Sequence, residues 1–365
     1  MNDKRIASFI DKYGAAKEII YARDVKRMSG VMAISGGEAV IAADTLRAFK
    51  DLCLKIPRGK KFRVTVLDAE NPDYDLIISD IFDVADKNRG IYDVIKKGGS
   101  AANSIISDKK HPVFKLYREL ESAKARAASS AFAAEGDLLV ERAVCDGLPV
   151  LSVLYTPEFK NAGDAEFFRN IEAYKINPSL MSVLTPSYKR AGAAAMIYFP
   201  LRDINEYSLE TAERILICDS LSNPDNLGMT IRTADGFGAD AVVVLNGGDM
   251  IINKNCVRSA RGAVGRMTAA RCGDEAAFFN KLRRIGFDII ASSSKNSPLV
   301  ASEDLDGAVF PRKAAFIVGN ENHGVRPEII GECGRLVKIP MAPGQSSFNV
   351  AVAAGILLYE HTVKN

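Results

Sequence analysis

Three short stretches in the C-terminal part of the chain gather amides, hydroxyls, a carboxylate and a guanidinium just after apolar runs. The first reads Asn223-Pro-Asp-Asn226-Leu-Gly228-Met-Thr-Ile-Arg232-Thr233-Ala234. Pro224 and Asp225 make a turn and Asn226 stands where a helix would begin, so helix capping is its simplest role. Arg232 lies further along, roughly 9 Å up a helix axis, and so long a side chain reaches back to the same cleft. A structural pairing of Arg232 with Asp235 or Asp219 is the alternative. The second stretch is Phe316-Ile-Val-Gly319-Asn320-Glu321-Asn-His323-Gly324-Val325, a strand running into a loop. Its two glycines suit close approach of backbone to a ligand, although Glu321 could equally be an ordinary surface carboxylate. The third is Ile339-Pro340-Met341-Ala-Pro343-Gly344-Gln-Ser346-Ser347-Phe-Asn349-Val350, where Ser347 and Asn349 could cap the helix that follows. Each stretch sets polar groups at the C-terminal end of a strand, where open α/β sheets bind ligands.

The elements that must hold these groups are legible around them. From Arg214 onward apolar strand runs recur at residues 215–218, 241–245, 288–291, 314–318 and 337–340, with helical patterns between them, notably 227–237 and 275–284. Continuous apolar strands alternating with helices imply a parallel sheet covered on both faces. The last helix, 350–359, is apolar on nearly every face and must be buried all round, either in a dimer interface or as a central core helix. Two further α/β units precede this domain of residues 214–365. Residues 1–103 show a helical pattern at 43–54 and strand-like runs at 63–68 and 75–83, split by a turn at Glu70-Asn-Pro-Asp73. Gly98-Gly99-Ser100 is a plausible hinge, and the unit carries no chemical motif. Residues 104–200 read as a cationic helix at 111–128, a helix at 137–145 and strands at 149–155 and 193–198, a compact sheet with helices packed on it. Residues 201–213 form a polar, charged connector.

Composition narrows the class. The chain has 365 residues, 47% hydrophobic and 25% charged, the profile of a globular protein of two or three domains. No run approaches the roughly 20 apolar residues of a membrane helix, and the charged N-terminus lacks a secretory signal, so the cytoplasm is expected. Cys53, Cys145, Cys218, Cys256, Cys272 and Cys333 are never closely paired, which favours free thiols over disulfides or zinc. His111, His323 and His361 are too dispersed for a metal centre. A net charge of +3 means that a nucleic-acid partner would be held by local patches. Lys55, Arg58, Lys60, Lys61 and Arg63 make one such patch, or else a solvated turn. A nucleotide-dependent metabolic enzyme would need a Gly-x-Gly-x-x-Gly or Gly-Lys-Ser/Thr loop. Neither occurs, and Asn246-Gly247-Gly248-Asp249 lacks the spacing.

In order and spacing, the three stretches resemble the signatures of the SpoU branch of the SPOUT methyltransferases, which methylate ribose 2′-oxygens in ribosomal or transfer RNA. The matching residues are Asn226 to Arg232-Thr-Ala, Gly319-Asn-Glu321-Asn-His-Gly324, and Ile339-Pro340-Met341 to Ser347-Phe-Asn349-Val-Ala-Val-Ala-Ala. Arg258-Ser259-Ala-Arg-Gly262-Ala263 resembles a stretch found between the first two. Residues 107–115 and Phe132-Ala-Ala-Glu135-Gly136 are similar to the substrate-binding domain that precedes many such enzymes, whereas residues 1–103 match nothing in the family. Phe348 stands where leucine is usual, Ala351 replaces a frequent serine, and Pro343 with Ser346 alters the third loop.

The resemblance implies a C-terminal domain with a trefoil knot, otherwise almost absent from proteins, preceded by a small ribosomal-protein-like α/β domain. It implies that knot loops bind S-adenosylmethionine through Leu245, Asn246, Gly247, Gly319, Asn320, Glu321, Gly324, Ile339, Pro340, Met341 and Ser347. It also implies a catalytic group of Arg232, Asn226, Glu321, Ser347 and Asn349. Methyl transfer builds negative charge on the attacking ribose oxygen, so a fixed cation beside it is stabilising, and Arg232 is the candidate. Guanidinium stays protonated in proteins, so orientation and charge stabilisation are its expected roles. Glu321 would accept a proton only if its pKa were raised. A homodimer through the final helix is implied. RNA would be held by Lys109, Lys110, Lys115, Arg118, Lys124, Arg126 and Arg258, and ribosomal RNA is favoured over transfer RNA. The rival is a catalytically inactive RNA-binding or ribosome-assembly factor on the same fold, against which the intact motif residues weigh.

Overall fold

The computed structural model describes residues 18–23, 28–35, 38–43, 52, 63–66, 105–168, 171–188, 190–293 and 297–364. In the N-terminal unit these form one sheet of β1 (Glu18–Arg23), β2 (Met28–Ser35), β3 (Glu38–Ala43) and β4 (Arg63–Val66) in that order. The first three strands pair antiparallel, and β4 joins β3 in parallel. Sequence patterning anticipated only β4 among them, because β1–β3 lack a clean apolar–polar alternation and so give weak period-2 contrast. Ala43, expected to start a helix, instead ends β3. The expected strand at 75–83, the glycine hinge and most of the 55–63 patch lie outside the described residues.

The middle unit begins with two short helices, α1 (Pro112–Glu119) and α2 (Ala123–Ser129), where the sequence suggested one long helix. The break has a physical cause. Ser122 caps α2 by accepting from the Ala125 amide, and Arg126 folds back to donate from Nη1 to the carbonyls of Leu120 and Glu121 at 2.9 and 2.8 Å. Then follow β5 (Ala131–Glu135), α3 (Asp137–Cys145), β6 (Val150–Tyr155), β7 (Glu172–Lys175), α4 (Pro178–Leu184) and β8 (Ala193–Tyr198). The sheet order is β5-β8-β6-β7. The connector carries buried Ile204, Leu209 and Ala212, so it packs on the core rather than acting as a loose tether.

The C-terminal domain is a seven-stranded, all-parallel sheet in the order β11-β10-β9-β14-β12-β15-β13. Its chain order is β9 (Arg214–Asp219), α5 (Pro224–Gly236), β10 (Ala241–Leu245), α6 (Lys254–Ala260), α7 (Ala263–Arg266), β11 (Thr268–Cys272), α8 (Glu275–Arg284), β12 (Asp288–Ser292), β13 (Ser302–Asp304), β14 (Ala314–Val318), α9 (Pro327–Ile330), β15 (Arg335–Lys338) and α10 (Val350–Lys364). Every residue of β9, β10 and β14 is buried, as expected for central strands covered on both faces. The two strands absent from the sequence reading, β11 and β13, are the sheet edges; β13, Ser-Glu-Asp, is short and polar, which guards against mispairing. β15 starts earlier than expected: Arg335 pairs with Asp288 and Glu303, and Pro340 lacks an amide to extend the ladder.

Candidate active site

Helix α5 starts at the C-terminal end of β9, and its cap decides what Asn226 can do. Asn223 is the N-cap, accepting from the amides of Asp225 at 2.8 Å and Asn226 at 3.4 Å, with Pro224 in the first turn. The capping role is therefore filled, and the Asn226 side chain is free to reach across. Its Nδ2 donates to Glu321 Oε1 at 2.8 Å, and its Oδ1 accepts from Asn349 Nδ2 at 3.0 Å. Asn349 also caps α10, accepting from the Ala351 amide at 2.9 Å. Ser222 donates from Oγ to the second Glu321 oxygen at 3.1 Å. One residue from each of the three motifs thus joins a single hydrogen-bonded chain.

Glu321 sits on a loop folded tightly on itself. Asn320 and Gly324 exchange two backbone hydrogen bonds of 2.9 Å, and a Cβ on Gly319 would collide with the Gly324 and Val325 backbone, so only glycine fits. Asn320 Nδ2 donates to the Ser220 carbonyl at 2.8 Å, and Arg326 grips Asp219 through both its amide and Nε at 2.7 Å. Asp219 is fully buried. Burial alone would raise the Glu321 pKa, but hydrogen bonds from Asn226, its own backbone and Ser222 outweigh it and hold the carboxyl below its usual range. The condition for Glu321 as proton acceptor is not met. A carboxylate made less basic is a better anchor than base.

Beside this network lies a cavity of about 760 Å3 at the C-terminal ends of β12, β14 and β15. Gly319, Asn320, Glu321, Gly324, Ile339, Met341 and Ser347 line it, and Pro340 sits between two of them, exposed, without lining it. Leu245, Asn246 and Gly247 do not line it. β9 separates β10 from β14 in the sheet, so the loop after β10 opens on the other side of β9. Its place is taken by the loop after β12, with Ser292, Ser293, Pro298 and Leu299, which sequence reasoning missed. The apolar strand ending at residue 291 was the available signal, because ligands gather where parallel strands end.

Arg232 is exposed and has no ion-pair or hydrogen-bond partner among the described residues. Its alternative partners are engaged elsewhere: Asp219 by Arg326, and Asp235 by Arg266. The structural explanation for this arginine is thereby removed. Among the expected RNA contacts, Lys109, Lys110, Lys115 and Lys124 are exposed. Arg118 is exposed and paired with Glu121 at 3.2 Å. One expectation needs correction. Arg126 is 5% exposed and spent on backbone carbonyls, so it shapes the fold instead of meeting RNA. Arg258 is partly exposed and pairs with Asp225 at 3.1 Å, which anchors the start of α5.

Residues 213–359 match the model of the SpoU rRNA methylase family, and residues 111–195 match an MRM3-like substrate-binding domain. The 23S rRNA (guanosine(2553)-2′-O)-methyltransferase RlmP of Bacillus subtilis is 30% identical over 259 residues, covering 70% of this chain and 97% of that protein. An S-adenosylmethionine-bound rRNA methyltransferase structure from Sinorhizobium meliloti superposes with a TM-score of 0.62 at 24% identity, covering 71% of this chain and 97% of the other. A structure described as an RNA 2′-O ribose methyltransferase gives 0.60 at 25% identity, covering 72% and 99%. Fold, site and similarity together define an RNA methyltransferase built on a parallel α/β sheet. Within that class, the chain belongs to the SpoU rRNA methylase family.

Proposed function

We propose that the protein transfers the methyl group of S-adenosylmethionine to a ribose 2′-hydroxyl of large-subunit ribosomal RNA. The observation that carries this reading is the Asn349–Asn226–Glu321–Ser222 chain on the wall of a strand-end cavity, beside a helix bearing an unpaired arginine. The residues present fit the cofactor. The volume is that of a small-molecule site, and apolar Leu299, Ile330, Ile339 and Met341 face serine hydroxyls and loop backbone. No lysine or arginine is among the described lining residues, so a sulfonium meets no like charge and a diphosphate would find no counter-charge. When bound, S-adenosylmethionine supplies an electrophilic methyl group. Gly319, Asn320, Glu321, Gly324, Ile339, Met341 and Ser347 would hold it, joined by the loop after β12.

Arg232 orients the ribose hydroxyl and an adjacent phosphate and stabilises charge growing on the 2′-oxygen. Asn226, Glu321 and Asn349 fix the pocket, and Ser347 orders the cofactor loop. The chain divides at 1–103, 104–200, 201–213 and 214–365, with RNA meeting the exposed lysines of the second unit in the cytoplasm. The insertion of β14 between β9 and β12, and of β15 between β12 and β13, supports a C-terminal segment threaded as a trefoil knot. Val352, Tyr359 and Val363 leave an exposed apolar stripe on α10, which supports a homodimer through this helix. Among the described residues no helix is long and apolar enough to cross a membrane. The test is tritiated methyl transfer to ribosomal and transfer RNA, followed by mapping of ribose methylation. The reading requires label in a single ribose of large-subunit RNA, and label on a base or only in transfer RNA would overturn it.

A further inference from the structure

The α6–α7 segment, residues 254–266, takes no part in the cavity, yet it grips α5 at both ends. Near the start of α5, Asp225 accepts from Ser259 Oγ and pairs with Arg258. One turn further, a Cβ on Gly228 would strike the Cys256 carbonyl, so the two helices touch backbone to backbone. Near its end, Asp235 accepts from Arg266 Nη2 at 2.5 Å. The same segment also holds the middle domain. Arg142 on α3 donates to the Arg261 carbonyl at 2.8 Å, and Leu148 occupies the space over Gly265 that any Cβ would need. Arg266 completes the junction, because its Nη1 donates to Asp146 at 2.9 Å while Nη2 holds Asp235. Arg261 and Gly262 both take left-handed backbone at the α6–α7 turn, which sets the direction from which Arg266 approaches.

We infer that Arg266 is a positioning residue that couples the RNA-binding middle domain to α5, so that RNA held on one is presented in fixed register to Arg232 on the other. This rests on the methyltransferase reading above. A planar guanidinium can hold two carboxylates at once in a set geometry, which an ammonium cannot. A shift of α3 is thereby transmitted to the helix turn that follows Arg232. Thermal stability alone would be served by either ion pair. The shared fork ties α3 and α5 to one side chain, which two separate ion pairs would not.

The test uses the full chain with ribosomal RNA. Asp146→Asn leaves the cavity and the Asp235 contact in place, while Arg266→Lys keeps charge and loses the fork. Both are expected to lower kcat, by roughly 3- to 30-fold, with the KM for RNA and the calorimetric affinity for S-adenosylmethionine unchanged. The double variant should be no slower than Arg266→Lys alone, because both changes break one coupling. Unchanged kcat in both folded variants overturns the inference. So does a loss confined to the KM for RNA, or losses that multiply in the double variant. An inert wild-type chain would overturn the methyltransferase reading and the coupling with it, whereas an active wild type with insensitive variants strikes only the coupling.

Discussion

The two walls of the cavity are built differently. On one side, the loops after β9 and β14 are stitched by Ser222, Asn226, Asn320 and Arg326, with fully buried Asp219 at the base. On the other, residues 342–349 are all exposed, and little holds them beyond a Gln345 to Ala342 backbone bond and the Asn349 side chain. The first wall is rigid before any ligand arrives. The second has few hydrogen bonds of its own among the described residues. Preorganised polar groups cost no rearrangement at the moment of reaction, so the first wall is the one expected to serve the chemistry. The second wall is expected to bear on cofactor affinity more than on the chemical step.

The sharpest way to break this division is at Arg232, which is carried on α5, the helix that begins at the rigid wall, but takes no part in its stitching. Arg232→Ala should lower kcat by about 10^3-fold and leave the thermal midpoint where it was. A methyl-transfer assay paired with a melt reads both, and near-normal turnover would remove Arg232 from the chemistry.

The next effect concerns α10, which continues from the open wall. His361 is 1% exposed, accepts from Arg214 Nε at 2.8 Å on Nδ1, and lies 2.9 Å from the Pro311 carbonyl through Nε2. Burial, then the adjacent Arg214 charge, push its pKa from 6.5 down to about 4. The folded chain therefore holds this ring neutral, while the unfolded chain takes up a proton below its own pKa. Stability from this group is present above pH 6.5 and is lost as pH falls towards about 4, by up to about 3 kcal/mol. Urea titrations across that window should show the slope, and His361→Gln should flatten it.

Smaller again is the clamp beneath the rigid wall. Asp219→Asn keeps the shape but removes the charge that Arg326 grips, and should cost about 2 kcal/mol of stability, discounted because Arg326 is partly exposed. Because the clamp carries the Glu321 loop, kcat should fall with it. A loss of stability with kcat intact would show that the stitching serves folding alone.

The rigid wall was the more legible of the two in the sequence. Asn226 and Glu321 on that wall, and Asn349 reaching it from the other, were each identifiable by type and place, since strand ends and turn residues mark where a parallel sheet binds ligands. Their mutual bonding was not, because it joins positions 95 and 123 residues apart. The same distance hid the Asp219–Arg326 clamp and the fork of Arg266. Arg126 misled because a helical lysine and arginine pattern carries no sign of the chain break that turns one side chain inward. The loop after β10 misled for a topological reason. Strand order within a sheet is not written in strand sequence, and β9 stands between that loop and the cavity.

The open wall is sharpened by the mildest change. Ser347 lines the cavity and is exposed, and it makes none of the stitching contacts that hold the opposite side. If its hydroxyl is used only when cofactor is present, Ser347→Ala removes one hydrogen bond, worth about 1 kcal/mol. The dissociation constant for S-adenosylmethionine should then rise about fivefold, with the thermal midpoint of the free chain and the kcat at saturating cofactor unaltered. Calorimetry and saturation kinetics separate these. A fall in kcat at saturation would mean that the serine acts in the transition state, and the two walls would then share the chemistry instead of dividing it.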